Sequence, residues 1–294
     1  MLWAVASITF FAVRLIPGDP AQAVLGGPGS QASPEALAAV RTEYGFDQPV
    51  LVQYLAQLGR LATGDLGRSY SLNQSVGPLV LGQLGGTLLL AALALALAWL
   101  LALALATWST RGGTVAARVG TGLETVAAAL PHFWLATSLI VVFSIWLGVL
   151  PPISTGDAFG LVLPVLTLAI PLAGFLGQIM RESLLTALES PFALSARARG
   201  ESERGVLWTH ALRHASLPAI SLSGWAFGSL ISGAVVVETI CARPGLGRTL
   251  LNAVTLRDVP VVIGVVMVVA VAYILMTLLT DAVSRLIDPR LSSE

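Results

Sequence analysis

The chain has 294 residues, of which 55% are hydrophobic and 11% charged, with a mean hydropathy of +0.83; soluble domains carry about a quarter charged residues, so a soluble fold is excluded and an all-α integral membrane protein is indicated. Sixteen basic and sixteen acidic side chains leave no net charge, and nothing points to nucleic acid. All the basic residues are arginine: without lysine there is no P-loop and no Schiff-base chemistry, so any ATP that drives the protein binds another chain.

The chain opens on "MLWAVASITFFAV", an apolar run that Arg14 ends after only 13 residues. That is about 20 Å of helix against roughly 30 Å of hydrocarbon. It lacks the basic leader and small-residue cleavage site of a signal peptide. We read 1–16 as a first span whose beginning is missing or misassigned.

Residues 17–82 then form a mostly polar stretch that reads as a small extracytoplasmic subdomain. Ser33-Pro34-Glu35 has the grammar of an N-cap, a first-turn proline and a first-turn acid, and Gly45 closes that helix. Pro49 to Leu61 reads as an amphipathic helix with Val50, Tyr54, Leu55, Leu58 and Leu61 on its apolar face. "TGDLGRSYSLNQS" is loop.

From residue 83 to 294 the chain reads as the membrane core, with spans at about 83–108, 120–147, 162–180, 216–240 and 259–280, six with the first. Arg111 and Arg118, the five arginines from Arg181 to Arg213, and Arg285 with Arg290 all fall on one side of a six-span topology. The positive-inside rule makes that side cytosolic, with both termini there. The spans are poor in charge; Glu238 lies near the outer end of the fifth, and His132 in "LPHFW" is the deep ionisable candidate. His132 is read either as bonding a carbonyl freed by Pro131 or as part of a translocation pathway. Cys241 permits no internal disulfide and reads as a small apolar filler.

Residues 181–215 interrupt the apolar sequence with "ARARGESERGVLWTHALRHASLP" at 196–218. Four arginines and two glutamates there exclude a span, since each arginine costs about 2.5–3.5 kcal/mol at a helix centre. Ser190 is placed to cap a helix from Pro191, Gly200 to end it, and Ser202 to cap a second that runs until Pro218 begins the fifth span. Ala193, Ala196, Ala198 and Gly200 would let a partner approach closely, with Arg197 and Arg199 supplying directional charge. His210 and His214 stand at i, i+4, but with no third ligand nearby they do not make a metal site. No catalytic or metal constellation is found.

These stretches resemble, nearly end to end, the membrane permeases of binding-protein-dependent ABC importers, in the dipeptide and oligopeptide (nickel/peptide) subfamily. The resemblance is carried by "RLIPGDPA" at 14–21, "YGFDQPVLVQYL" at 44–55, "GDLGRSY" at 64–70, "LPHFWLA", the 196–218 segment, "VVVETICARPGLG" at 235–247 and "LIDPR" at 286–290. It implies that 196–218 is the EAA loop, whose coupling helix at 191–204 docks on a cytosolic ATPase subunit through Ala196, Arg197, Ala198, Arg199, Gly200, Glu201 and Ser202. It further implies a second homologous permease subunit, two ATPase subunits carrying ATP and Mg, a substrate-binding protein received by the extracytoplasmic subdomain, and a bacterial or archaeal inner membrane. The chain itself would hold no cofactor. Glu201 and Gly205 depart from the residues common in the family, and His132 stands where a small polar residue is usual. Members that import nickel or other small solutes share these motifs. Outside the family, the competing readings are a gradient-driven secondary transporter or channel and, more remotely, a membrane enzyme.

Overall fold

The computed structural model describes residues 1–15, 19–26 and 32–287 and is helical throughout, with one isolated bridge between Arg68 and Ser75 among the described residues. The "LIDPR" stretch at 286–290, including Arg290, lies largely outside the described residues, as do residues 16–18 of "RLIPGDPA". The chain divides into two compact units.

The first unit comprises Met1–Thr87 and Pro244–Ala272. It begins with α1 (Leu2–Arg14), apolar but only 13 residues long. The short α2 (Pro20–Val24) is capped by Asp19, whose carboxylate accepts from the Ala21 N–H at 2.9 Å and pairs with Arg41 at 2.5 Å. Arg41 lies on α3 (Pro34–Glu43), which Ser33 caps by accepting from the Ala36 N–H; Gly45 follows its C-terminus at φ +68°. This is the local grammar read from the sequence.

The next helix, α4 (Val50–Ala62), departs from its expected face. Val50 and Leu55 are exposed while Gln57 is buried. α1 meets α4 at Gln53 and Tyr54 rather than at Val50 and Leu55. Ser7 shares a 2.7 Å hydrogen bond with the Tyr54 hydroxyl, Arg14 donates to Gln53, and the Phe10 and Phe11 rings lie 5.5 and 5.4 Å from the Tyr54 ring.

The N-terminal end of α5 (Val76–Arg111), α12 (Leu246–Thr255) and the start of α13 (Val259–Ile287) close the unit around Val76, Val80, Leu246, Ala253, Val261 and Val265. Asp258, 1% exposed, ties the "GDLGRSY" loop to this core. Its carboxylate accepts from the Ser69 hydroxyl at 2.5 Å, the Ser71 hydroxyl at 2.7 Å and the Tyr70 and Ser71 N–H groups at 3.1 and 3.0 Å. Removing this acceptor leaves two backbone donors unpaired, so Asp258→Ala should lower the stability of the unit by about 3 kcal/mol. The measure is the rate of limited proteolysis within the 63–75 loop; an unchanged rate would show that the cage carries little weight.

The second unit comprises Leu88–Arg243 and the chain from Tyr273 onward. Here α6 (Gly113–Ala129) and α7 (His132–Leu139), the latter continuing in a π-helical stretch from Ile140 to Trp146, are bent by 102°. The segment read as one span at 120–147 is therefore broken. Pro131 is extended at ψ 134° and Leu130 before it at ψ 123°, because a proline ring drives its predecessor out of the helical region. The helices α8 (Phe159–Leu188), α9 (Pro191–Ala198), α10 (Glu203–Gly205) and α11 (Leu212–Ile240) follow, a π-helical stretch from Val206 to Ala211 fusing the last two. Pro218 lies inside that continuous helix rather than beginning a span. A proline removes one backbone bond, which a membrane helix tolerates when neighbours re-satisfy the freed carbonyl.

Among the described residues, four helices are long and apolar enough to cross a membrane: Val76–Arg111, Phe159–Leu188, Glu203–Ile240 and Val259–Leu286; the bent pair would be a fifth. The most buried is α8, with Leu163, Leu168, Leu176, Met180 and Leu184 all inside. On α5 one stripe is inward: Leu90, Ala91, Ala94, Ala98, Ala102 and Ala106 are buried at helical spacing, while Leu89, Leu93 and Leu100 are exposed, as suits a helix bathed in lipid.

Candidate functional site

The interruption at 181–215 folds as a corner between the two most closely packed long helices, α8 and α11. After α8 ends at Leu188, Ser190 occupies the N-cap position of α9, but its hydroxyl donates to the Ala187 carbonyl at 2.6 Å instead of capping the helix. At the other end Gly200 takes φ +85°. Its N–H reaches the Arg197 carbonyl at 2.9 Å and the Glu201 N–H reaches the Ala196 carbonyl at 3.2 Å. This paired closure requires a left-handed residue, and glycine adopts it without a Cβ penalty. Ser202 then accepts from the Gly205 N–H at 3.2 Å and starts α10.

Half of the small-residue stripe turns inward and half outward. Ala193 and Ala196 are fully buried against Val206 and Leu188 of the same chain. Arg197 is also engaged within the chain: its Nη1 donates to the Leu188 carbonyl at 2.9 Å, and Nε and Nη2 grip Glu203 at 2.8 and 3.1 Å. The outer rim shows Leu194, Ser195, Ala198, Arg199 and Gly200 to the surroundings. Arg197 thus sets the angle between α9 and α10, and Arg199 is the arginine that projects.

Glu201 and Gly205, two of the three departures from the resembled family, are packed on each other. A β-carbon at Gly205 would lie 2.8 Å from Glu201 Oε1 and 2.9 Å from its Cγ. The carboxylate runs over this gap to His210 Nε2 at 2.9 Å. His214 instead stacks its ring on Phe192, with centroids 4.7 Å apart.

An ion pair that sequence reading missed stands close to the start of the corner. Glu124 on α6 is fully buried, and its Oε2 accepts from Arg181 Nε on α8 at 2.8 Å. The other oxygen, Oε1, has no hydrogen-bond partner among the described residues. Glu124 falls inside the apolar run at 120–147, and its partner is 57 residues away, beyond any local pattern.

His132 begins α7, just past the bend, and is partly buried. A β-carbon at Gly233 on α11 would sit 3.2 Å from His132 Nε2 and 2.7 Å from Leu168 Cδ2. The ring therefore lies in the crossing of α7, α8 and α11. In "PGLG", Gly245 is extended at φ 175° and Leu246 starts α12, its N–H donating to the Thr87 hydroxyl at 2.8 Å.

Comparison with known proteins covers nearly the whole chain. Residues 98–293 match the model of the binding-protein-dependent transport system inner membrane component. Residues 1–91 match that of the N-terminal region of binding-protein-dependent transport system membrane components. A Brucella abortus (strain 2308) protein named for a peptide transport system permease is 36% identical over 302 residues, covering 97% of this chain and 93% of that one. The glutathione transport system permease protein GsiC of Salmonella choleraesuis (strain SC-B67) is 34% identical over 292 residues, covering 98% and 94%. Among solved structures, the MetNI methionine ABC transporter in an inward-facing conformation aligns with TM-score 0.56 at 16% identity, over 71% of this chain and 96% of that chain. An amino acid ABC transporter with histidines aligns with TM-score 0.52 at 21% identity, over 72% and 94%. These two likenesses bear on the fold alone.

Proposed function

Because the chain belongs to the binding-protein-dependent transport system inner membrane components, the permease subunits of ABC importers, we propose that it forms half of a translocation pathway for short peptides. The peptide class is supported by the relatives, which carry the names of peptide and glutathione permeases across nearly their full lengths. A second, homologous permease would supply the other half. Two cytosolic ATPase subunits would bind ATP and Mg, which this lysine-free chain has no P-loop to hold. The setting would be a bacterial inner membrane, with both termini and the 181–215 loop cytosolic, and residues 17–82 outside to receive a substrate-binding protein.

One observation carries the coupling role: α9 is locked onto its own chain from behind, through Ala193, Ala196 and Arg197, while its outer rim at Leu194, Ala198, Arg199 and Gly200 stays open. A lever needs both properties. Motion of an ATPase pressed on that rim would pass through the Arg197 contacts into α8 and α11, rather than being absorbed in a loose loop. Ala196, Arg197, Glu201 and Ser202 would then hold the shape of the 191–204 element, with Ala198, Arg199 and Gly200 meeting the partner. His132, at the crossing of α7, α8 and α11, would sense or line the pathway.

The test is ATP hydrolysis by the assembly that co-purifies with this chain in mild detergent. An ATPase should come down with it, with activity rising several-fold when the extracytoplasmic binding protein and its peptide are added. A stable preparation with no ATPase would overturn the reading and favour a gradient-driven transporter.

A further inference from the structure

The first unit contains a cavity of about 690 Å³ between α1, α3, α4 and the turn at Arg257, within the range of small-ligand sites. Part of its wall is aromatic: Tyr70 stands edge-on to Tyr44 and Phe46, with ring centroids 5.1 and 5.3 Å away. The polar part is cationic. Arg14, Arg60 and Arg257 line it, and none of them is ion-paired among the described residues. The acid in the lining is Glu43, which is exposed. Asp258 is engaged with Ser69, Tyr70 and Ser71. Burial pushes the Tyr70 phenol up to about 12, so it stays a neutral hydroxyl.

Two features of this cavity are unexplained by folding. The first is Gln57, 5% exposed and lining the cavity, whose Nε2 has no hydrogen-bond partner among the described residues. Its Oε1 accepts from Arg60 at 2.9 Å, which fixes the amide orientation and leaves Nε2 as an unused donor. Gln53, one turn earlier, has its amide fully engaged, with Nε2 on the Gln48 carbonyl at 2.7 Å and Oε1 accepting from Arg14. The second is Arg257. It sits just past the end of α12 at φ +58°, its N–H on the Val254 carbonyl and the Asp258 N–H on the Ala253 carbonyl. That is the closure at which glycine is favoured. An arginine held there against its backbone preference, with its side chain in the cavity wall, is the kind of local strain that clusters at ligand sites.

We propose that this cavity binds a small organic carboxylate with an apolar or aromatic body, the carboxylate held by the Gln57 amide and the arginines and the body by the aromatic wall. Gln57 Nε2 is the donor waiting for an acceptor, and the guanidiniums supply the charge that a carboxylate matches in pairs of hydrogen bonds. The site is separate from the coupling corner and stands whether or not that corner docks an ATPase.

The test uses the full chain in phosphatidylcholine nanodiscs, without binding protein, titrated calorimetrically with N-acetylphenylalanine and with its neutral C-terminal amide. The acid should bind at least about tenfold more tightly than the amide, and Gln57→Leu and Arg257→Gly should each weaken the acid by about tenfold. Arg257→Gly relaxes the backbone, so its melting temperature should not fall, which separates lost binding from lost fold. Equal affinity for acid and amide, no binding at all, or binding indifferent to both variants would overturn the proposal. Phospholipid retained by the wild type and lost in Arg257→Gly, with no acid binding, would overturn it in favour of a lipid headgroup.

Discussion

Replacing Arg181 by methionine should destabilise the second unit by about 3 kcal/mol, because it strands a fully buried Glu124 carboxylate whose second oxygen already lacks a partner. The mutation removes one member of a buried pair, which costs far more than never having had the pair. Glu124→Gln combined with Arg181→Met should recover most of the loss, since no uncompensated charge then remains inside. The chain carries its own reporter: its single cysteine, Cys241, is 2% exposed and lies in the same unit. Labelling of Cys241 by a thiol-reactive fluorophore during heating would follow the opening of the unit. Arg181→Met should label at markedly lower temperature than wild type, and the double variant close to wild type. Equal transitions for all three would mean that the pair is neutralised by protonation or by water. Arg181 lies on α8, the helix that leads into the corner. The variant is therefore also expected to impair uptake beyond its loss of folded protein.

Features set by a few neighbouring residues were legible in the sequence. Ser33 caps, Gly45 and Gly200 close and Ser202 caps where the sequence placed them, because each is a matter of one side chain or one φ angle. The apolar runs were equally legible, since span length follows from bilayer thickness. What escaped was set by tertiary pairing. Periodicity on α4 marked Val50, Tyr54, Leu55, Leu58 and Leu61 as the inward face; Tyr54 does meet α1, but Val50 and Leu55 are exposed and the polar Gln57 is buried. Ala193 and Ala196 looked like a docking face and instead fill the space beneath their own helix. Small size allows close approach on either side of a helix and does not say which. The Asp258 cage joins residues 187 to 189 positions apart, and Glu124 finds Arg181 across 57. Glu201 and Gly205 looked like two separate departures until the carboxylate was found lying over the missing β-carbon. The glycine leaves room for the carboxylate, and His210 holds it.

Gly200→Trp is expected to abolish uptake while leaving membrane insertion and the helical fold intact. Among the described residues nothing lies within 4 Å of a β-carbon built at Gly200, so a side chain there starts into open space. What it does meet inside the chain is the backbone: at φ +85° any L-residue is disfavoured by about 1 kcal/mol. That cost alone would loosen the corner modestly and reduce uptake by a fraction. Asparagine tolerates the left-handed region, so Gly200→Asn isolates the backbone term and should keep most of the activity. The two variants therefore divide the contribution of conformation from that of occupied space. If tryptophan abolishes uptake and asparagine does not, the space outside Gly200 is filled by another molecule during transport. Uptake equal in the two would place Gly200 in the shape of the corner alone and move the docking contact elsewhere on the rim. Arg199, exposed beside it while Arg197 is held by Glu203 and Leu188, is the side chain to test next. Arg199→Glu should weaken ATPase retention during purification, whereas Arg197→Ala should let α9 move against α10 and uncouple hydrolysis from uptake with the ATPase still attached. Binding of the lever and rigidity of the lever are thus separable in two arginines one turn-step apart.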